Sequence, residues 1–216
     1  MTPHGAGARN DAAEDAPADA LPPVSHLLYL HGFRSSPRST KAMRMRQWLA
    51  EHHPQVLFDC PQLPPSPDES MALLQGRIAR WPRERMGIVG SSLGGFYATV
   101  LGEQLGCRCV LINPAVNPAR DLASRIGTMT MWHSHEEFHF GTEHVEQLRQ
   151  LSPIQLTNQR RTLAIIAKGD EVLDWREMAA PHAGSTLVVV EGGDHAMSDF
   201  DEHLPRIERF CGWASR

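Results

Sequence analysis

Six short apolar runs, alternating with helical patterns, set the limits on what this chain can fold into. They read SHLLYLHG, QVLFDC, MGIVGS, CRCVLINPA, RTLAIIAKGD and STLVVVEGG. Continuous apolar strands of this kind belong to a parallel sheet covered on both faces, because a half-exposed strand would alternate apolar and polar residues instead. Between the runs, Ala42, Met45 and Leu49 recur at helical spacing within 37–52, and helices are also expected over about 69–80, over SLGGFYATVLGEQLG and over about 201–213. The prolines of PQLPPSPDE exclude helix there. The expected fold is an α/β three-layer sandwich around a mainly parallel six-stranded sheet.

The alternation breaks once. Residues 114–160, between the fourth and fifth runs, are polar and rich in histidine. An insertion at that point rests over the carboxyl ends of the strands, where ligands bind in open α/β sheets, so it reads as a small lid. Residues 1–24 read as a disordered tail, being rich in Ala, Pro and Asp with almost no large apolar side chains. One arginine against four carboxylates gives this segment −3 of the chain's formal −4. Residues 25–216 are therefore nearly neutral, and no nucleic-acid partner is expected.

Apolar residues make up 41% of the chain, yet no run reaches the roughly 18 residues of a membrane span. The start of the chain lacks the basic and apolar stretches of a secretory signal. Cys60, Cys107, Cys109 and Cys211 form no CxxC pair and no metal spacing. A cytoplasmic protein with reduced structural thiols is expected, Cys107 and Cys109 sharing one face of a strand.

The chemistry is concentrated in GIVGSSLGGFYATVLG, residues 87–102. No lysine follows the glycines as a P-loop requires, and the dinucleotide pattern GxGxxG fails at Ser92. G-x-S-x-G fits over 90–94, between a strand and a helix, which is the setting of a nucleophile elbow. That turn is tight, so the residues two before and two after the nucleophile must be small. Around Ser92 they are Gly90 and Gly94; around Ser91 they would be Val89 and Leu93. Ser92 is therefore the expected nucleophile.

A serine hydroxyl needs a base, and the base needs a carboxylate to fix its tautomer. His195, behind Gly192 and Gly193 after the sixth run, is the expected base. AIIAKGDEVLDW offers two acids. Asp174 heads a capping-box-like D-W-R-E with Glu177, which gives it a structural duty, so Asp170 is preferred and Asp174 stays second. The oxyanion donors expected are the backbone N–H groups of Leu93 and of Phe33, beside Gly32 in the loop after the first run, with His31 as a buttress. Arg34 and Arg38 border the same pocket and read as solvated surface, with an anionic substrate as the alternative. His52, His53, His182 and His203 read as surface positions. His135 and His139 could share a helical face in the lid, but a metal site lacks a third ligand, and neither metal nor cofactor is expected.

LLYLHGFRSSPRSTKA, LAEHHP, PQLPPSP, GIVGSSLGGFYAT, NPAVNP, GDEVLDWR and EGGDHAM together resemble the YqiA/YcfP family of small α/β-hydrolase esterases, from about residue 25 onward. The resemblance implies a minimal α/β-hydrolase fold and activity on small-molecule acyl esters, acyl-CoA thioesters included. It places the family's nucleophile, acid and base on Ser92, Asp170 and His195. The chain departs from the family at Asp194, where Asn is frequent, and in its histidine-rich lid. The expected function is a serine hydrolase of carboxylic acyl esters. A thioesterase acting on acyl-CoA or an acyl-protein is the alternative, and a non-catalytic binding protein on the same scaffold is the rival of another class.

Overall fold

The computed structural model describes residues 21–134, 136–153 and 155–214. Six strands form one sheet: β1 (His26–Leu30), β2 (Leu57–Asp59), β3 (Met86–Ser91), β4 (Arg108–Ile112), β7 (Thr162–Ala167) and β8 (Thr186–Val190). Their order is β2-β1-β3-β4-β7-β8, and every pairing is parallel. All six expected strands are present.

The double burial read from the sequence has a direct cause in the pleat. Leu28, Leu30, Ile88, Cys109, Leu111, Ala164 and Ile166 face one layer; Leu27, Tyr29, Val89, Val110, Ile112, Leu163 and Ile165 face the other. The first layer holds α2 (Pro67–Ile78), α3 (Leu93–Leu105) and α5 (Thr142–Leu151); the second holds α1 (Thr40–His52) and α7 (Phe200–Cys211). Cys107 and Cys109 do fall on one face, and all four cysteines are free and buried.

Parallel pairing brings the carboxyl ends of the strands to one edge. Leu30 lies beside Gly90, Ser91 beside Ile112, and Ala167 beside Val190. The chain builds outward from β1 to β2, then returns and builds the other way from β3. The loops after β1 and β3 therefore part at the switch point of the sheet, and a cleft opens between them.

Residues 114–160 contain α4 (Pro118–Asp121), an antiparallel hairpin of β5 (Gly127–Thr130) and β6 (Glu137–Phe140), and α5. The hairpin corrects one expectation, since His139 lies on a strand rather than on a helical face; His135 lies outside the described residues. The four histidines read as surface also divide. His52 is exposed, but His53, His182 and His203 are buried. His53 is covered because α1 ends against α7, where its Nε2 lies 2.8 Å from Glu208. The packed chain also reaches back past residue 25. Val24 is buried, its N–H donates to the Cys211 carbonyl at 2.9 Å, and Arg108 donates to the carbonyls of Leu21 and Pro22.

Candidate active site

Ser92 sits where β3 turns into α3, with φ 56° and ψ −121°. A non-glycine residue in this region is strained, costing about 1–3 kcal/mol, and persists only where its surroundings fix it. Ser92 N–H donates to the Ile112 carbonyl, and its own carbonyl accepts from Gly95 and Ala115. The two small positions are obligatory. A Cβ on Gly90 would lie 2.6 Å from the Gly94 carbonyl carbon and 2.8 Å from Ala98 Cβ; one on Gly94 would lie 2.5 Å from the Leu30 carbonyl carbon. Ser91, by contrast, is the last residue of β3 and is buried.

His195, in the loop after β8, faces Ser92 and Asp170 with its two ring nitrogens. Nε2 is 3.1 Å from Ser92 Oγ and Nδ1 is 2.7 Å from Asp170 Oδ2. The Asp170 side chain has no exposed surface, and its Oδ1 accepts from the N–H groups of Val172 and Leu173, both at 2.8 Å. A carboxylate so fixed accepts a hydrogen bond from His195 Nδ1–H and keeps the proton on that nitrogen, which leaves Nε2 as acceptor for the serine hydroxyl. Asp174 does not meet His195: it caps α6 (Trp175–Ala179), accepting from Arg176 N–H.

The loops that carry Asp170 and His195 touch backbone to backbone. Gly169 donates to the Gly192 carbonyl at 2.7 Å, and Gly192 and Gly193 take φ of +74° and +73°. Side chains from elsewhere clamp the base loop, and sequence reasoning missed them. Asn113, fully buried at the end of β4, donates through Nδ2 to the carbonyls of Asp194 (3.0 Å) and His195 (3.4 Å). Its Oδ1 accepts from Ala167 N–H at 2.8 Å. Lys41 of α1 donates to the Ala196 carbonyl, and Glu171 accepts from His195 N–H. Burial pushes the Lys41 ammonium down, partly offset by the charges of Asp194 and Asp170. The only signal for Asn113 was the motif NPAVNP, which had no assigned role.

Phe33 and Leu93, the expected oxyanion donors, border one open cleft, and their N–H groups have no hydrogen-bond acceptor among the described residues. Gly32 is pressed against Ser92: a Cβ there would lie 3.3 Å from Ser92 Cβ. The Phe33 ring packs edge-on against Phe138 and Phe140 of β6, so the hairpin holds this loop in place.

His31 is buried beneath the loop, donating from Nδ1 to the Gly32 carbonyl and accepting at Nε2 from Leu63 N–H. Burial lowers its pKa from 6.5 to about 4. Protonation would leave the Leu63 N–H facing another N–H, so the folded state resists it. A folded pKa below the unfolded one means that stability is complete above about pH 6.5 and is lost as pH falls toward 4. The His31 share is on the order of 3 kcal/mol. Urea unfolding of His31→Gln should show a correspondingly flatter fall across that window; an unchanged slope would assign the loss to other groups.

Wound around a switch-point cleft with the serine on a strand-to-helix elbow, this sheet has the fold of the α/β hydrolases. The mouse alpha/beta hydrolase domain-containing protein 10 superimposes with a TM-score of 0.64, at 14% identity over 88% of this chain and 90% of that one. The esterase domain of a Rhodothermus marinus protein gives 0.62, at 19% identity over 92% and 89%. Within that fold the family is specific: the model of the Uncharacterised protein family UPF0227 matches residues 26–212, and the chain belongs to it. A UPF0227 protein of Yersinia pseudotuberculosis is 28% identical over 85% of this chain and 97% of its own length.

Proposed function

We propose that this chain is a serine hydrolase of carboxylic acyl esters. The observation that carries the reading is the line Ser92–His195–Asp170, with hydrogen bonds of 3.1 and 2.7 Å, lying beside the open N–H groups of Phe33 and Leu93. Ser92 Oγ attacks the acyl carbonyl while His195 Nε2 takes its proton. The carbonyl oxygen, now negative, is held by the two N–H groups. As the tetrahedral intermediate collapses, His195 returns the proton to the leaving alcohol and the acyl group stays on Ser92. Water, deprotonated by His195, then releases the acid and restores the serine. Asp170 holds the ring and stabilises its cation throughout. The esterase assignment of the Rhodothermus marinus neighbour is consistent with this chemistry.

A fluorophosphonate probe tests the reading directly, because it reacts with an activated serine whatever the acyl specificity. One equivalent should bind at Ser92 and none in Ser92→Ala. A wild-type protein that stays unlabelled would favour the non-catalytic binding protein.

Asn113→Ala should separate positioning from binding. Without Nδ2 the carbonyls of residues 194 and 195 lose their clamp, and a 1 Å drift of a catalytic group costs up to about 100-fold in rate. Steady-state kinetics should show kcat lowered about 10- to 100-fold with KM within a few-fold. The Ala167 N–H, left without its acceptor, should also lower stability by about 1–3 kcal/mol. An unaltered kcat would remove Asn113 from the machinery.

A further inference from the structure

Within the ester-hydrolase reading above, we infer that the acyl part of the substrate ends in a carboxylate and that Arg34 receives it. The cavity is lined by Gly32, which abuts Ser92, and by both expected oxyanion residues, Phe33 and Leu93, while Ser92 and His195 themselves lie outside its lining. A leaving group must lie close to His195 to take its proton, so this cavity is on the acyl side. Its walls are largely apolar, with Leu63, Tyr97, Met131 and Phe138 among them, and among the described residues Arg34 is the one arginine or lysine that lines it.

Arg34 is held in a fixed pose. Its backbone lies in the left-handed region at φ 59°, and its carbonyl accepts from Trp132 N–H at 2.9 Å. Its Nε donates to the Thr130 carbonyl at 2.8 Å, and the guanidinium lies 5.6 Å from the centre of the Trp132 ring. Strain of this kind gathers at sites where a ligand must be met. These contacts use one of the five guanidinium N–H groups and leave both terminal amino groups available. Among the described residues Arg34 has no carboxylate partner, and of the arginines without one it alone lines this cavity.

A single cation in an apolar pocket is the usual way such a site fixes a ligand's orientation. The planar guanidinium fork matches a carboxylate bidentately, and one positive charge balances one carboxylate rather than a phosphate dianion. The substrate class is thus the monoesters of dicarboxylic acids, with the ester carbonyl at Ser92 and the free carboxylate at Arg34. Arg38 takes no part, being exposed and outside the cavity. The hairpin is the element that makes this possible, since Thr130, Trp132, Met131 and Phe138 all come from it or from its tip.

The test compares 4-nitrophenyl monoesters of dicarboxylic acids of about four to six carbons with uncharged 4-nitrophenyl esters of matched length, uncatalysed rates subtracted. The readout is the ratio of kcat/KM for charged over uncharged ester within one preparation, so that a general loss of activity cancels. Wild type should favour the charged ester at one or more lengths by about 10- to 100-fold, the range of a hydrogen bond to a charged group. Arg34→Gln should bring the ratio to near one, and Arg34→Lys should retain part of it. Equal turnover of both esters by wild type, or a preference that survives in Arg34→Gln, overturns this proposal alone. Turnover of neither overturns the ester-hydrolase reading and this proposal with it.

Discussion

Ser92→Ala should lower kcat on a short chromogenic ester by at least about 10⁴-fold, the scale of loss when a nucleophile is removed from a hydroxyl–imidazole–carboxylate unit. Stability should change little. The hydroxyl makes one side-chain hydrogen bond, to His195 at 3.1 Å, while the contacts that fix the turn are made by the backbone of residue 92 and persist in alanine. The left-handed strain persists as well, since alanine at φ 56° is no more comfortable than serine. Circular dichroism and the urea midpoint should therefore match the parent while turnover disappears. Ser91→Ala supplies the control for the choice of serine. Its side chain is buried at the end of β3, and most of the activity should remain. Full turnover in Ser92→Ala, or loss confined to Ser91→Ala, would reverse the assignment.

What was legible in the sequence was whatever is encoded within a few residues. Leu27 to Leu30 read as a strand because each is apolar, and they are apolar because the pleat buries both of its faces. That Ser92, Asp170 and His195 meet could be expected because each follows a strand, and parallel strands deliver their ends to one edge whatever the loops do. Asp174 could be set aside for a similar reason: it caps the helix that follows it, accepting from Arg176 N–H two residues on, although Glu177 pairs with Arg120 instead of closing a capping box. Features that depend on distant partners were not legible. The hairpin β5–β6 carries an EFHF strand whose only fully covered residue is Phe140, so its alternation is too weak to stand out from a polar stretch. His53, His182 and His203 are polar residues on or beside helices, and their burial is decided by what those helices dock against. Asn113 stands near the end of the run CRCVLINPA, before a proline, with nothing local to mark it. Its role exists only because β4 ends between β7 and the His195 loop, more than 50 residues away in sequence.

Gly94→Ala should be strongly damaging for a change of one methyl group. In a helix interior this change ordinarily stabilises by about 0.5–1 kcal/mol, because alanine loses less backbone freedom. At position 94 the added Cβ would overlap the Leu30 carbonyl oxygen, lying 2.5 Å from its carbon and 2.7 Å from the His31 carbonyl oxygen. These are backbone atoms of a central strand and its oxyanion loop, and neither can rotate aside as a side chain would. Helix α3 must instead move away from β1, at a cost of about 3 kcal/mol or more, which outweighs the propensity gain. The same movement would pull Leu93 N–H and Ser92 away from Gly32 and Phe33, so activity should fall with stability. Gly76→Ala in α2 isolates the propensity effect, for nothing lies within 4 Å of the Cβ it would add. Urea denaturation should show the two changes moving the midpoint in opposite directions. If Gly94→Ala proved as stable as Gly76→Ala, the steric ground for choosing Ser92 over Ser91 would fail, because that choice rests on the absence of room at positions 90 and 94.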